Sequence, residues 1–422
     1  MKFLRIGICS FVVFAVLAHG AVEEWARAIL TIGATFLFLA WAIYSYIRKE
    51  EKYILSPLLL PLFLFALVVL AQWTFHFTAS SYHTRIELQL LLVYLLLFFL
   101  AVQAFRSLED WRTFAWFIMI FGFLICTFGV LQHLTFNGKL YWFREMRYGG
   151  IPFGPYANRN HFAGFAELII PMALVPMALG KVRRERLFVV GLFAIMPIVA
   201  LFMSASRGGI LAVAVELLFL AVWMAIRKTA GKQLLAGGAL LLVAVLLISW
   251  LGVKKTLDRF TALQSLEASE SKRTSMRHDT WRIFLDHPWI GTGLGTLQTV
   301  FPKYETNYDG KIVNHTHNDY LEALAETGVL GGICCTWFLV VLVVEGWKRL
   351  QFAESSFVAI LHFSAFAACL GILVHSFADF NLHIPSNALL FFLMAHLATV
   401  QIPKMEQSSV APHRHRHHRR NH

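Results

Sequence analysis

The sequence predicts an all-α, polytopic membrane protein of about twelve transmembrane helices with a small helical cap on one face. Three observations lead there. Hydrophobic residues make up 58% of the 422 residues, only 15% are charged and the mean hydropathy is +0.61, which no soluble chain of this length would show. Apolar stretches of about 20 residues, enough to cross a hydrocarbon core of ~30 Å, recur along the chain. Lys and Arg gather in alternate loops between them.

The apolar stretches are centred near Phe14, Phe38, Phe63, Leu95, Phe121, Met172, Ile195, Ala214, Leu242, Leu339, Ala367 and Leu393. The first has a basic start, Lys2 and Arg5, but no cleavage site follows and further spans come directly after it, so it reads as a retained span rather than a signal peptide. Basic residues mark Arg48-Lys49, Arg106 and Arg112, the cluster Lys181 to Arg186, Arg227-Lys228, Lys348-Arg349 and the tail. By the positive-inside rule these loops and both termini are cytoplasmic. The loops Phe136 to Arg159, Ser204 to Gly209, Val253 to Asp319 and Ala378 to Ile384 then face the periplasm or the outside. The expected organisation is nine spans in 1–252, an outer helical loop in 253–319, three spans in 320–403 and a basic His/Arg-rich tail in 404–422.

Within the outer loop, Leu257 to Ala268 has helical spacing, SESKRTS reads as a polar linker, and Arg277 to Asp286 as a second helix that Pro288 stops. The net charge of +12 follows largely from the inside loops and their contact with anionic head groups, so membrane lipids rather than nucleic acid are the expected partners. Cys9, Cys126, Cys334, Cys335 and Cys369 fall within spans with no C-x-x-C pair, which suggests neither a disulfide framework nor a metal site. No acidic cluster of the kind Mg²⁺ or Mn²⁺ needs stands out, so neither metal nor other cofactor is expected.

Chemistry concentrates on the outer side. In His315 to Gly332, HTHNDYLEALAETGVLGG, Asp319 is a candidate N-cap, and His317 and Asn318 lie just before the helix it starts. The positive end of a helix disfavours a protonated imidazole, which makes His317 a candidate general base. Glu322 and Glu326 share one face of that helix. In the loop after the fifth span, Asn160 reads as a helix cap, and Arg144, Arg147 and Arg159 bring fixed positive charges that hold a phosphate or pair with lipid head groups. Arg207 sits in the short turn MSASRGGIL, where it either snorkels to head groups or faces the bundle and accepts a phosphate. Arg277 and Trp281 share a helix face with Arg282 about 100° away, which suits either anion binding or stacking on the indole. The turn HSFADFNLHIPSN adds His375, Asp379, Asn381 and His383, with Asp379 able to orient His317 or to neutralise an arginine.

The order His317-Asn318, nine residues, Gly328, two residues, Gly331 resembles the signature of the O-antigen ligase and polysaccharide polymerase superfamily of bacterial envelope enzymes. Asn158-x-Asn160-His161-Phe162-Ala163-Gly164, Ser206-Arg207-Gly208, and the Arg-x-x-x-Trp and Pro-x-x-Gly-x-Gly pattern in RHDTWRIFLDHPWIGTGLG resemble further segments of that family, in the expected order between Tyr141 and Leu393. The resemblance implies a GT-C-like bundle and an inverting, metal-independent glycosyltransferase, which moves a glycan from a polyprenyl-diphosphate carrier to an acceptor hydroxyl at the outer face of the inner membrane. It implies that Arg207, with Arg277 or Arg282 and with help from Arg147 or Arg159, holds the diphosphate. His317 would take the acceptor proton, and Asn318 or His315 would hold the ring or the sugar. The acceptor is lipid A–core for a ligase, another lipid-linked glycan for a polymerase, and a protein for an O-oligosaccharyltransferase; the complete His-Asn signature favours the ligase. From a different class, a transporter or flippase of an anionic lipid-linked substrate would share the span number, but the long one-sided loop and the lack of an internal repeat count against it.

Overall fold

The computed structural model describes residues 1–49, 53–145, 151–226, 263–351 and 356–402. Among them the chain is all helix, with only isolated bridges at Leu140–Arg144 and Phe153–Tyr156. The thirteen helices are α1 (Lys2–Leu17), α2 (Glu24–Arg48), α3 (Leu59–Thr74), α4 (Ser81–Ala104), α5 (Leu108–Leu134), α6 (Arg159–Ala178), α7 (Leu187–Ser204), α8 (Arg207–Ile226), α9 (Leu263–Asp286), α10 (Leu297–Val300), α11 (Asp319–Gln351), α12 (Ser356–His375) and α13 (Pro385–Thr399). Eight are long and apolar enough to cross a membrane: α2, α4 to α8, α11 and α12. The other predicted spans are shorter: α1 and α3 have 16 residues each and α13 has 15. The stretch near Leu242 and the tail lie outside the described residues.

The helices alternate in direction, so the basic loops share one end of the bundle and the candidate site residues the other. The centre is α6, buried along nearly its whole length against α5, α7, α8, α12 and α13. Its sequence explains that position. Gly164, Ala163 and Ala166 present a small face at the site end, and Pro171 and Pro176 are tolerated because neighbouring helices shield the backbone groups they free. At 15 residues α13 is only about 22 Å long, shorter than the hydrocarbon core. The link that precedes it is accordingly recessed: Ser376, Asp379 and Asn381 are all buried.

Sequence spacing predicted two cap helices joined by a polar linker, whereas Leu263–Asp286 is one continuous helix that runs through the linker. Ser, Lys and Arg there have adequate helix propensity and no Gly or Pro interrupts them. The helix ends just before Pro288, as expected. Ile283 of α9 packs with Leu297, Val300, Phe301, Val313 and Ala325 into a small apolar core of its own.

The cap is stitched to α11 through a break in that helix. At Gly328 the backbone turns to φ 62°, ψ −164°, which frees the N–H groups of Val329 and Leu330. They donate instead to Pro288 O at 2.7 Å and Trp289 O at 3.2 Å. In return, the N–H groups of Thr292 and Gly293 reach Ala325 O at 3.1 Å and Glu326 O at 2.9 Å, and both oxygens of the buried Glu326 carboxylate accept backbone N–H groups, from Gly295 and Leu297 at 2.8 Å each. The Pro-x-x-Gly-x-Gly segment and Gly328 are thus two halves of one backbone junction.

Candidate active site

Five segments meet at the site end of the bundle: the 315–318 segment leading into α11, the 376–384 link, and the N-termini of α6, α8 and α13. Asn318, rather than Asp319, caps α11, its Oδ1 accepting the Leu321 N–H at 3.0 Å while its Nδ2 donates to Phe377 O at 3.3 Å. Asp319 instead ties the segments together, its N–H donating to Ser376 O at 2.9 Å. Between these anchors His317 is held at φ 55°, a left-handed conformation uncommon for a residue with a side chain and often found at functional positions.

The result is a histidine–carboxylate pair. Nδ1 of His317 lies 3.0 Å from Oδ1 of Asp379. The carboxylate can only accept, so in the neutral ring Nδ1 carries the proton and Nε2 the lone pair. Asp379 is 1% exposed and accepts two further hydrogen bonds: Oδ1 also accepts the Phe380 N–H at 2.9 Å, and Oδ2 accepts from Nδ2 of Asn160. Burial alone would raise the Asp379 pKa, but the hydrogen bond and charge of His317, with the nearby His161 and His375, outweigh it and hold the carboxyl well below its ordinary range. His317 keeps a quarter of its side chain exposed, and among the described residues Nε2 has no hydrogen-bond partner. A ring held from behind by a charged carboxylate, with its lone pair at the surface, is arranged to accept a proton.

His315 does not join this pair. It stacks on Phe380, whose ring packs against His315, His317 and His161 with centroids 4.2, 5.1 and 4.7 Å away. Nδ1 of His315 meets Oε1 of Glu322 at 2.6 Å, while Oε2 of Glu322 accepts the Thr316 N–H at 2.9 Å. His383 completes the group, with Nδ1 2.6 Å from Oδ1 of Asp319 and Nε2 3.5 Å from Oε1 of Glu322. Burial would lower the His383 pKa, but the Glu322 charge and the Asp319 hydrogen bond outweigh it and push it up to about 10.

The arginines distribute differently. Arg207 is the first residue of α8, exposed, and with no partner among the described residues. Its neighbour Gly208 lies so close to His375 that a Cβ there would collide with the ring, and the His375 carbonyl accepts the N–H groups of Ala378 and Asp379 at 2.8 and 3.1 Å. Arg207 therefore stands beside the link that carries Asp379. Arg277, half-buried on α9, donates from Nε to Arg273 O at 3.3 Å, and Arg282, exposed, lies over the Tyr304 ring at 6.0 Å rather than on Trp281. Arg159 begins α6, next to Asn160. Arg144 pairs with Glu23 and His19. Arg147 lies outside the described residues.

Several participants were hidden in the sequence. Asn160 looked like a helix cap, but Asn158 caps α6 and the Asn160 side chain points to Asp379. Glu322 looked like a helix-face residue; its seven-residue spacing from His315 was the only signal. An apolar cavity of about 340 Å³ between α3, α4, α11 and α13 reaches up to Asp319 and His383.

Residues 192–336 match the family model described as O-antigen ligase. This stretch is similar to O-antigen ligase. The match covers about a third of the chain and includes Arg207, Arg277, Arg282 and the His317-Asn318 pair, as the resemblance of these segments implied. Asn160 and Asp379 lie outside it, brought to the matched stretch by α6 and the 376–384 link. No curated protein matches the chain.

Proposed function

We propose that this membrane protein of the O-antigen ligase type transfers a glycan from a polyprenyl-diphosphate carrier to a hydroxyl of lipid A–core, at the periplasmic face of the bacterial inner membrane with both termini cytoplasmic. The single observation that carries this reading is the His317–Asp379 pair, with Nε2 of His317 presented at the surface. An attacking alcohol needs a base, whereas a diphosphate leaves readily once its charge is stabilised. His317 takes the proton from the acceptor hydroxyl, the alkoxide oxygen attacks the anomeric carbon opposite the leaving group, and the configuration inverts. Asp379 fixes the tautomer of His317 and stabilises the imidazolium that forms. Arg207, unpaired among the described residues beside this link, holds the diphosphate, with Arg277 or Arg282 reaching from the cap and Arg159 at the rim. The apolar cavity below Asp319 and His383 suits part of the carrier's hydrocarbon chain.

The test supplies membranes holding the full chain with a polyprenyl-diphosphate glycan and lipid A–core. Conjugate formation supports the ligase reading; longer lipid-linked chains without conjugate mean the polymerase; neither product, with carrier-linked glycan moved across the membrane, means a flippase. Asp379→Asn is expected to slow transfer by about one to two orders of magnitude, less than loss of the base itself. The Asn160 amide can rotate to accept from the new side-chain NH₂, so the local hydrogen bonds survive while the charge behind His317 is lost. An unchanged rate in this variant would remove Asp379 from the mechanism.

A further inference from the structure

His315, Glu322 and His383 form a set that the proposed transfer does not use. We infer that they bind a divalent transition-metal cation of the zinc class, which clamps the 315–319 segment to the 376–384 link.

The geometry points to a cation rather than only to a hydrogen-bonded cluster. One ring nitrogen each of His315 and His383 and one carboxylate oxygen of Glu322 lie within 4.8 Å of one another. Zinc bonds of about 2.0–2.2 Å to nitrogen and oxygen place ligand atoms of a tetrahedral site roughly 3.3 Å apart. Here Nε2 of His383 is 3.5 Å and Nδ1 of His315 is 2.6 Å from Oε1 of Glu322, so small side-chain movements suffice. Two imidazoles and one carboxylate are the donor set of open zinc sites, and the nitrogen ligands argue against Mg²⁺ or Ca²⁺.

Each ligand on the buried side is also oriented from behind. Oδ1 of Asp319 holds Nδ1 of His383 at 2.6 Å, which turns Nε2 of that ring toward Glu322, the carboxylate–histidine arrangement that supports metal ligands. The Thr316 N–H holds Oε2 of Glu322 at 2.9 Å and leaves Oε1 for the cluster. The charge balance is compatible with a cation. Asp319 and Glu322 are 5% and 1% exposed, and among the described residues their only ion-pair partners are histidines, with no Lys or Arg. Metal binding would displace the ring protons, and the divalent cation would then compensate the two buried carboxylates in their place. His315 and His383 keep 30% and 23% of their side chains exposed, which leaves a path for entry and a coordination position open to solvent.

The consequence is positional. His315 and Glu322 belong to the segment and helix that carry His317, and His383 to the link that carries Asp379, so the cation ties together the two halves of the dyad. Sequence reading expected no metal because it looked for an acidic run, whereas these ligands are separated by 7 and 61 residues.

The experiment strips purified full-length protein with EDTA and titrates it with ZnCl₂, measuring bound zinc and thermal unfolding, then with CoCl₂, recording the visible d–d bands. The His-rich tail is present in every sample, so the difference between proteins is the readout. Wild type is expected to bind one more equivalent of zinc than Glu322→Gln or His315→Gln, to unfold at a higher temperature with zinc than without, and to give cobalt bands that both variants lack. His315 is partly exposed, so its variant keeps the Glu322 anchors and reports even where Glu322→Gln fails to fold. Equal stoichiometry in wild type and His315→Gln, or zinc that leaves wild-type unfolding unchanged, overturns the inference. None of these readouts requires transfer activity, so they stand or fall separately from the proposed reaction.

Discussion

Replacing His317 with alanine is expected to lower glycan transfer by about 10²–10⁴-fold while leaving donor binding intact, the range over which a positioned general base contributes. The acceptor hydroxyl would then have to lose its proton to water. Donor binding should survive because the candidate phosphate ligands, Arg207 on α8 and Arg277 and Arg282 on α9, lie on other elements. Deleting the ring also leaves the buried Asp379 carboxylate with only Asn160 and the Phe380 N–H, at some cost in stability. His317→Gln separates the two effects, since its amide can still donate to Asp379 but cannot take up a proton. Both variants should lose transfer at matched expression in the membrane assay, and the glutamine protein should unfold close to wild type. Transfer at the wild-type rate in either would show that His317 is not the base.

The second large effect is on the fold. Gly328→Ala is expected to destabilise the protein by several kcal/mol, because φ 62° with ψ −164° is essentially reserved for glycine and costs a side chain about 1–3 kcal/mol before any clash. A clash is unavoidable here. The new Cβ would drive into the main chain at Trp289 and Ile290, where the carbonyls of Pro288 and Trp289 accept the Val329 and Leu330 N–H groups at 2.7 and 3.2 Å. Backbone on both sides cannot yield as a flexible side chain would, so the cap would detach from α11 or the helix would straighten and bury unpaired groups. Gly332→Ala, one helical turn further on, is the control. Its Cβ would meet only the tip of Leu324, at 2.7 Å, and a rotamer change relieves that. Thermal unfolding of the purified full chains should show a large fall for the first and a small one for the second. Equal effects would mean that the junction does not hold the cap to α11.

Much of the fold was legible because its causes are local. The length of each apolar stretch, the basic residues in alternate loops and the stop at Pro288 act within a few residues and need no tertiary context. Where a local rule failed, a stronger contact had overridden it. The polar linker became helix because nothing in it forbids helix, and Asn318 took the cap from Asp319 because the Asp319 carboxylate is engaged by His383 and the Leu382 N–H, 2.6 and 3.2 Å away.

The sequence by itself determined the membrane class, the alternation of the helices and the His317-Asn318 segment at the start of α11, since hydropathy, charge and motif spacing are written along the chain. Only the tertiary structure decided which groups face one another. It set Asp379 behind His317 across 62 residues, turned Asn160 onto that carboxylate across 219, and engaged His315 with Glu322, which His383 also approaches. The physical reason is that a buried carboxylate must find donors wherever helix packing brings them, and packing is decided by surfaces that meet in space rather than by positions adjacent in sequence.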